Sequence, residues 1–214
     1  MLIASISKNG LLLFLFAVVT AGILAFTYVN TKSAIATAEH RASQQALQEI
    51  IAADRQQSGI VIDTIDMPTA VLESLGFDRE DDGGHSIAIA KKDGRIIAVI
   101  VPTLTAEGYS GDIRLLVGVN REGAIEGVRV LSHRETPGLG DKIDLKRSDW
   151  ILSFNQRSLS DPLPERWKVK KDGGEFDQFT GATITPRAIV KQVYHVLTVV
   201  RDYYPLLFAT ATPT

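Results

Sequence analysis

Hydrophobic positions divide the chain into two regimes. From Leu11 to Val29 they are unbroken, and the stretch LLLFLFAVVTAGILAFTYV carries no charge. As a helix at about 1.5 Å per residue, it extends roughly 28 Å, close to the hydrocarbon thickness of a bilayer. Tyr28 stands at the far end, where interfacial aromatics are favoured. The pattern predicts a transmembrane helix over 11–29 behind a short tail, 1–10. A cleaved signal peptide is the alternative, with small residues at Thr20-Ala21-Gly22. The apolar run is longer than a signal core, however, and only Lys8 brings charge before it. After the run, Ala38, Ala42, Ala46, Leu47, Ile50 and Ile51 recur at helical spacing. A helical stalk over 30–58 is expected, closed by Ser58-Gly59. Residues 60–75 carry a weak mixed pattern broken at Met67-Pro68, and 76–84 read as an acidic, glycine-containing loop.

From Ser86 the period changes to two. Ser86 to Ala90 alternates, Asp93-Gly94 is a hairpin turn, and Arg95 to Val101 returns as an apolar strand. Asp112 to Val119, a turn at Asn120-Arg121-Glu122-Gly123, and Ala124 to Leu131 continue an antiparallel meander of about four strands. The unbroken apolar run Ile96 to Val101 predicts a strand buried on both faces. Further on, Ser148 to Phe154 reads as a short capped helix, Asp161 to Pro164 as a rigid connector, and Trp167 to Lys170 as a strand. Trp150 and Trp167 are read as core anchors. Past Pro186, Ile189, Val193, Val196 and Val200 form a stripe at spacings of four, three and four. That stripe predicts a sheet-packing helix to about Tyr204, ended by Pro205, with a mobile tail over 209–214. The class is α+β: an antiparallel sheet covered by helices.

Three loops interrupt this pattern with chemistry of their own. Gly108-Tyr109-Ser110-Gly111 places two glycines between strands, where backbone approaches something closely. His133 to Lys142 (HRETPGLGDK) leaves a strand end as a tight loop with Leu139 at its tip. Asp177 to Pro186 (DQFTGATITP) delivers the backbone into the last helix. In this reading Thr185 is the N-cap and Pro186 the first helical residue. Helix-start N–H groups attract phosphate, and Thr180, Thr183 and Thr185 add hydroxyls around that point. A well-capped helix preceded by a glycine turn is the blander account of the same residues.

Asp177-x-x-Thr180-Gly181-Ala182-Thr183 resembles the flavinylation motif of the periplasmic flavin transferase. That enzyme joins the phosphate of FMN to the motif's last threonine as a phosphoester. The resemblance implies covalent FMN on Thr183, with Thr180, Gly181, Ala182 and Thr185 beside it and Asp177 serving recognition by the transferase. The 133–142 and 108–111 blocks are similar to loops of FMN-binding domains. They imply ring or phosphate contacts from Tyr109, Glu135, Thr136, Leu139, Gly140 and Lys142. In that setting Glu135 and Thr136 would meet the polar edge of the isoalloxazine, Leu139 would cover the ring, and Lys142 would balance negative charge. Three ordered blocks behind a membrane anchor resemble the G subunit of Rnf-type ion-translocating electron-transport complexes, over nearly the whole length. The resemblance implies a single-pass inner-membrane protein with a periplasmic FMN-binding domain at 59–208. It implies an electron relay linked to ferredoxin and NAD, working among the other subunits of that complex. Three alternatives stay open. They are the C subunit of the sodium-translocating NADH:quinone oxidoreductase, an anchored FMN-binding redox regulator, and a scaffold whose threonine loop only caps a helix.

Composition narrows the chemistry. The 214 residues suit one anchor and one domain, and the net charge of −2 offers no basic excess for nucleic acid. There is no cysteine, so this chain has neither thiol redox chemistry nor cysteine-ligated iron–sulfur clusters. The four histidines, at 40, 85, 133 and 195, lack metal-ligand spacing. No strand–GxGxxG–helix unit offers a site for NADH. Electrons moved by this protein must be carried by an organic cofactor. Lys8 precedes the anchor while Lys32 and Arg41 follow it, so positive charge does not set the orientation.

Overall fold

The structure, a computed structural model, describes residues 2–52, 59–67, 69–75, 77 and 86–209. The stalk's end at 53–58, the acidic loop read at 76–84 (Phe77 excepted) and the tail beyond Ala209 lie outside the described residues. The chain divides into two compact units, Met1–Ala42 and Ser43–Thr214.

The first unit is helical. Helix α1 spans Leu2–Ala52, so its last residues, from Ser43, belong to the second unit. Leu11 to Val29 is exposed on every side, and the helix is long and apolar enough to cross a membrane. Thr20 and Thr27 donate their hydroxyls to the carbonyls of Phe16 and Ile23, each at 2.8 Å, so these polar groups are satisfied inside the helix.

The second unit is built on a five-stranded antiparallel sheet in the order β1-β2-β3-β4-β5. The strands are β1 (Val61–Asp66), β2 (Ser86–Lys92), β3 (Arg95–Gly108), β4 (Gly111–Asn120) and β5 (Ile125–Ser132). The α+β meander expected from the alternating pattern is present. β1 is an addition, from a stretch whose pattern was weak, and five of its six residues are exposed. β3 continues seven residues beyond Val101. Ile97 is bulged out of its pairing with β2, since Lys91 faces Ile96 while Ala90 faces Ala98.

Both faces of the sheet are covered, as the unbroken apolar run predicts. On one face Val99, Val101, Leu115 and Val117 share a core with Ile189, Val193, Val196 and Val200 of helix α3 (Ile184–Asp202). Each such side chain contributes roughly 1.5–3 kcal/mol when fully buried. Helix α2 (Thr69–Ser74) joins this layer through Val71. On the other face Ala46 and Ile50, in the last turns of α1, pack on Ala88, Ala90, Ala98, Ile100 and Leu116. Gly118 and Gly127 are cross-strand partners beneath Ile50. A Cβ on Gly118 would lie 2.5 Å from Ile50 Cγ2.

Between β5 and α3 the chain makes short 3-10 turns around an aromatic cluster. Trp150, Phe154, Trp167, Phe176 and Phe179 are all buried, and Phe154 stacks on Phe176 with ring centroids 4.7 Å apart. Both tryptophans are core anchors, as expected. The strand expected at Trp167–Lys170 is not formed. Val169 makes one isolated bridge to Phe176, and Lys170–Asp172 coils into a 3-10 turn that ends on Gly173 at φ +85°. The last helix also differs at both ends. α3 starts at Ile184 with Thr183 as N-cap, so Pro186 is its third residue. Proline costs nothing there, because none of the first four N–H groups has a partner within the helix. Pro205 lies inside a further short helix, α4 (Tyr204–Ala209), rather than ending α3.

Candidate functional site

The three loops singled out in the sequence meet at one side chain, Glu135. It is 4 % exposed, and both its carboxylate oxygens are engaged. Oε1 accepts the Ser110 backbone N–H at 2.9 Å, and Oε2 accepts a short hydrogen bond from the Thr185 hydroxyl. One carboxylate therefore ties the β3–β4 hairpin and the start of α3 to the loop leaving β5. The glycines of the two loops make room for it. A Cβ on Gly140 would lie 2.9 Å from Glu135 Cβ, Glu135 Oε2 and Thr185 Oγ1. A Cβ on Gly108 would lie 3.0 Å from Glu135 Oε1 and 2.2 Å from the Gly111 carbonyl.

The 133–142 loop is held from within. Leu139 and Gly140 both donate their N–H to the Thr136 carbonyl at 3.1 Å, and Gly138 N–H donates to Asp141 Oδ1 at 2.7 Å. His133 Nδ1 accepts the Glu135 N–H at 3.1 Å. This frame leaves Thr136 and Leu139 exposed and Lys142 half-buried.

The 177–183 loop is pinned from below. Trp150 Nε1 donates to the Asp177 carbonyl at 2.8 Å, and the Trp150 and Phe179 rings meet edge-on. Ala182 N–H closes a turn on the Phe179 carbonyl at 3.1 Å, with Gly181 at φ +82°, a backbone that glycine adopts most easily. A Cβ on Gly181 would lie 3.6 Å from Leu139 Cδ2, so the tip of the 133–142 loop stands over this turn.

The three threonines are placed differently. Thr180 is exposed. Thr185 is fully buried, and its hydroxyl is spent on Glu135 rather than on capping. Thr183 is half-buried at the N-cap, and its side chain makes no capping bond. Of the two hydroxyls nearest the helix start, only that of Thr183 is left for another use. Its carbonyl accepts the Arg187 N–H at 3.3 Å, which anchors the residue through its backbone.

Comparison with known proteins follows the same lines. An FMN-binding domain model matches residues 108–198, which contain all three loops, and an RnfG N-terminal region model matches residues 1–50. The G subunit of the ion-translocating oxidoreductase complex of Vibrio atlanticus is 42 % identical over 205 residues, covering 96 % of this chain and 95 % of that protein. The protein of that name from Vibrio cholerae serotype O1 is 39 % identical over 214 residues, covering 99 % and 98 %. One from Pseudomonas aeruginosa is 42 % identical over 193 residues, covering 90 % and 87 %. The chain belongs to the RnfG family, the G subunits of ion-translocating oxidoreductase complexes.

Within that family frame, the residues fit FMN at this loop cluster. A helix start offers the N–H groups of Ile184 and Thr185 beside an unengaged threonine hydroxyl, a donor set suited to phosphate. Tyr109, Leu139 and Ile184 are exposed apolar side chains on the three elements that meet here. They present surface of the kind an aromatic ring covers.

Ion pairs flank the 177–183 loop. Asp177 is exposed and pairs with Lys170 at 2.7 Å. Arg187 forks onto both oxygens of Asp172 at 2.5 and 2.7 Å. The Arg187 hydrogen bond holds the Asp172 carboxyl below the usual aspartate range. The pair therefore favours the fold above the ordinary aspartate value, and its contribution disappears as pH falls through the lowered one. Lys191 of α3 pairs with Glu107 beside the β3–β4 hairpin. None of these partners was legible in the sequence. Their only signal is charge, and the members of the last pair lie 84 residues apart.

Proposed function

We propose that this protein is an electron-relay subunit of a membrane-bound ion-translocating complex, carrying FMN through a phosphoester on the Thr183 hydroxyl. The observation that carries the reading is the state of that hydroxyl. It is accessible and makes no capping bond, at the start of a long helix, inside a motif that reads as a flavin-transferase target. FMN, when bound, supplies the one- and two-electron oxidation and reduction that no side chain of this cysteine-free chain offers. The chain's own residues do the rest. Thr183 tethers and keeps the group at high effective concentration. The first turn of α3 stabilises phosphate charge through its N–H groups and dipole. Tyr109 and Leu139 shield ring surface from water. Thr180, Gly181 and Ala182 shape the turn that presents Thr183, and exposed Asp177 is the handle for the transferase. Thr136 and Lys142 stand on the same loop as Leu139, at the rim.

In this reading the domain stands on the periplasmic side of a bacterial inner membrane, anchored by the helix at 11–29. It serves a complex that links ferredoxin and NAD oxidation–reduction to ion movement, among the complex's integral and peripheral subunits.

Intact-protein mass spectrometry tests the attachment on full-length protein co-expressed with a flavin transferase and purified from membranes. The wild type is expected to gain the mass of one FMN less one water. Thr183→Ala is expected to lack that mass yet melt within a degree or two of unflavinylated wild type, expressed without the transferase, since no capping bond is lost. Thr183→Ser should keep partial attachment. Wild-type protein at its unmodified mass, or Thr183→Ala carrying the full adduct, would refute the assignment.

A further inference from the structure

We infer that Glu135 is the positioning residue of this site: it sets where the ring-facing loops stand relative to Thr183 and does not itself touch the cofactor. The inference rests on the attachment reading above. Both carboxylate oxygens point inward and are taken, one by the Ser110 N–H at 2.9 Å and one by the buried Thr185 hydroxyl. Ser110 follows Tyr109 directly, and Thr185 lies two residues after Thr183. Leu139 precedes Gly140, the residue that packs bare backbone on Glu135. Each element that presents a side chain to the ring surface is thus fixed to the same carboxylate. A buried acid bonded on both oxygens has little freedom to reach a ligand, but it transmits its own position to what it binds. The glycine at 140 supports this, because a Cβ there would strike Glu135 and Thr185, while a Cβ at 108 would strike the Gly111 carbonyl and press tightly on Glu135 Oε1. Glu135 also draws the Thr185 hydroxyl away from the helix start and leaves Thr183 as the hydroxyl available there.

Two variants of the full-length protein separate this role from a purely structural one. Glu135→Gln keeps an acceptor for Ser110 and offers an NH2 to Thr185, whose hydroxyl can turn to accept it. Glu135→Ala removes both links. Amide exchange at Ser110 is measured first in the flavin-free Thr183→Ala background. There Glu135→Ala is expected to speed exchange by on the order of tenfold or more, and Glu135→Gln to restore most of the protection. In the loaded protein, Glu135→Ala should keep one FMN on Thr183, while its visible circular dichroism collapses toward that of free FMN and its flavin potential moves the same way. Glu135→Gln should retain the wild-type signals. Wild-type exchange and dichroism in Glu135→Ala would overturn the inference. If Glu135→Ala does not fold, a Glu135→Gln protein that melts normally but shows free-flavin dichroism would overturn it equally. Absence of FMN from wild type would instead defeat the attachment reading, and this role with it. The exchange measurement would still report whether the clasp exists.

Discussion

Gly140 shows how far the site depends on single atoms. Its hydrogen faces Glu135 and Thr185, and a methyl group there would sit 2.9 Å from three of their atoms. None of the three is the loose end of an exposed side chain, so the backbone must give way. Gly140→Ala is expected to destabilise the domain by about 1–3 kcal/mol, the usual range for overpacking. It should also raise Ser110 amide exchange. Chemical denaturation checks the first effect, and an unchanged midpoint would mean the clasp is looser than its geometry. The sequence pointed to Gly140 and Glu135 as members of one loop. It did not show that Glu135 turns inward, because both hydrogen-bond partners come from other elements, 25 and 50 residues away. Thr185 illustrates the same limit. Its local context favours capping, yet a buried carboxylate offers its hydroxyl a stronger partner, and the cap moves to Thr183.

Elements were legible wherever burial imposes a period. β2 to β5 alternate or run apolar because the sheet is covered on both faces, and α3 carries its stripe because one side packs on β3 and β4. β1 was weak because five of its six residues are exposed, so no face imposes a pattern. Trp167 and Val169 alternate as a strand would, but the alternation buries them in an aromatic cluster rather than in a ladder. The contact between α1 and the sheet was only half legible. Helical spacing marked Ala46 and Ile50, while nothing paired them with Gly118 and Gly127. That contact can be tested as a coupled pair. Gly118→Ala should cost about 1–3 kcal/mol by forcing Ile50 away. Ile50→Ala should cost about 2–5 kcal/mol by opening a void. The double variant should lose less than the sum, since the added methyl occupies part of that void. Strict additivity in urea denaturation would show that the two residues do not press on each other.

At the scale of the molecule, apolar surface is partitioned between the two units. Most of the exposed large apolar side chains lie between Leu11 and Ile35, where a bilayer would solvate them. The second unit begins inside the same helix, at Ser43, not where the apolar run stops. Residues 43–52 bring Ala46 and Ile50 to the sheet, and Glu49 pairs with the buried Arg129 guanidinium at 2.9 Å. The boundary of the folded domain can therefore be located by where a shortened chain starts. A protein starting at Ser43 retains this cover and sheds the membrane-compatible stretch, so it is expected to be water-soluble and to melt cooperatively. A protein starting at Gly59 exposes Ala88, Ala98, Ile100 and Leu116 and leaves Arg129 without Glu49. From the buried apolar area alone, that loss is about 2–5 kcal/mol. For a domain of this size it corresponds to a melting point lower by roughly 5–15 °C. Calorimetry on the two proteins decides the point. Coincident melting curves would mean that α1's last turns only lie against the sheet and that the folded domain begins at 59. A large drop would mean that the helix arriving from the membrane supplies one wall of the domain's second core.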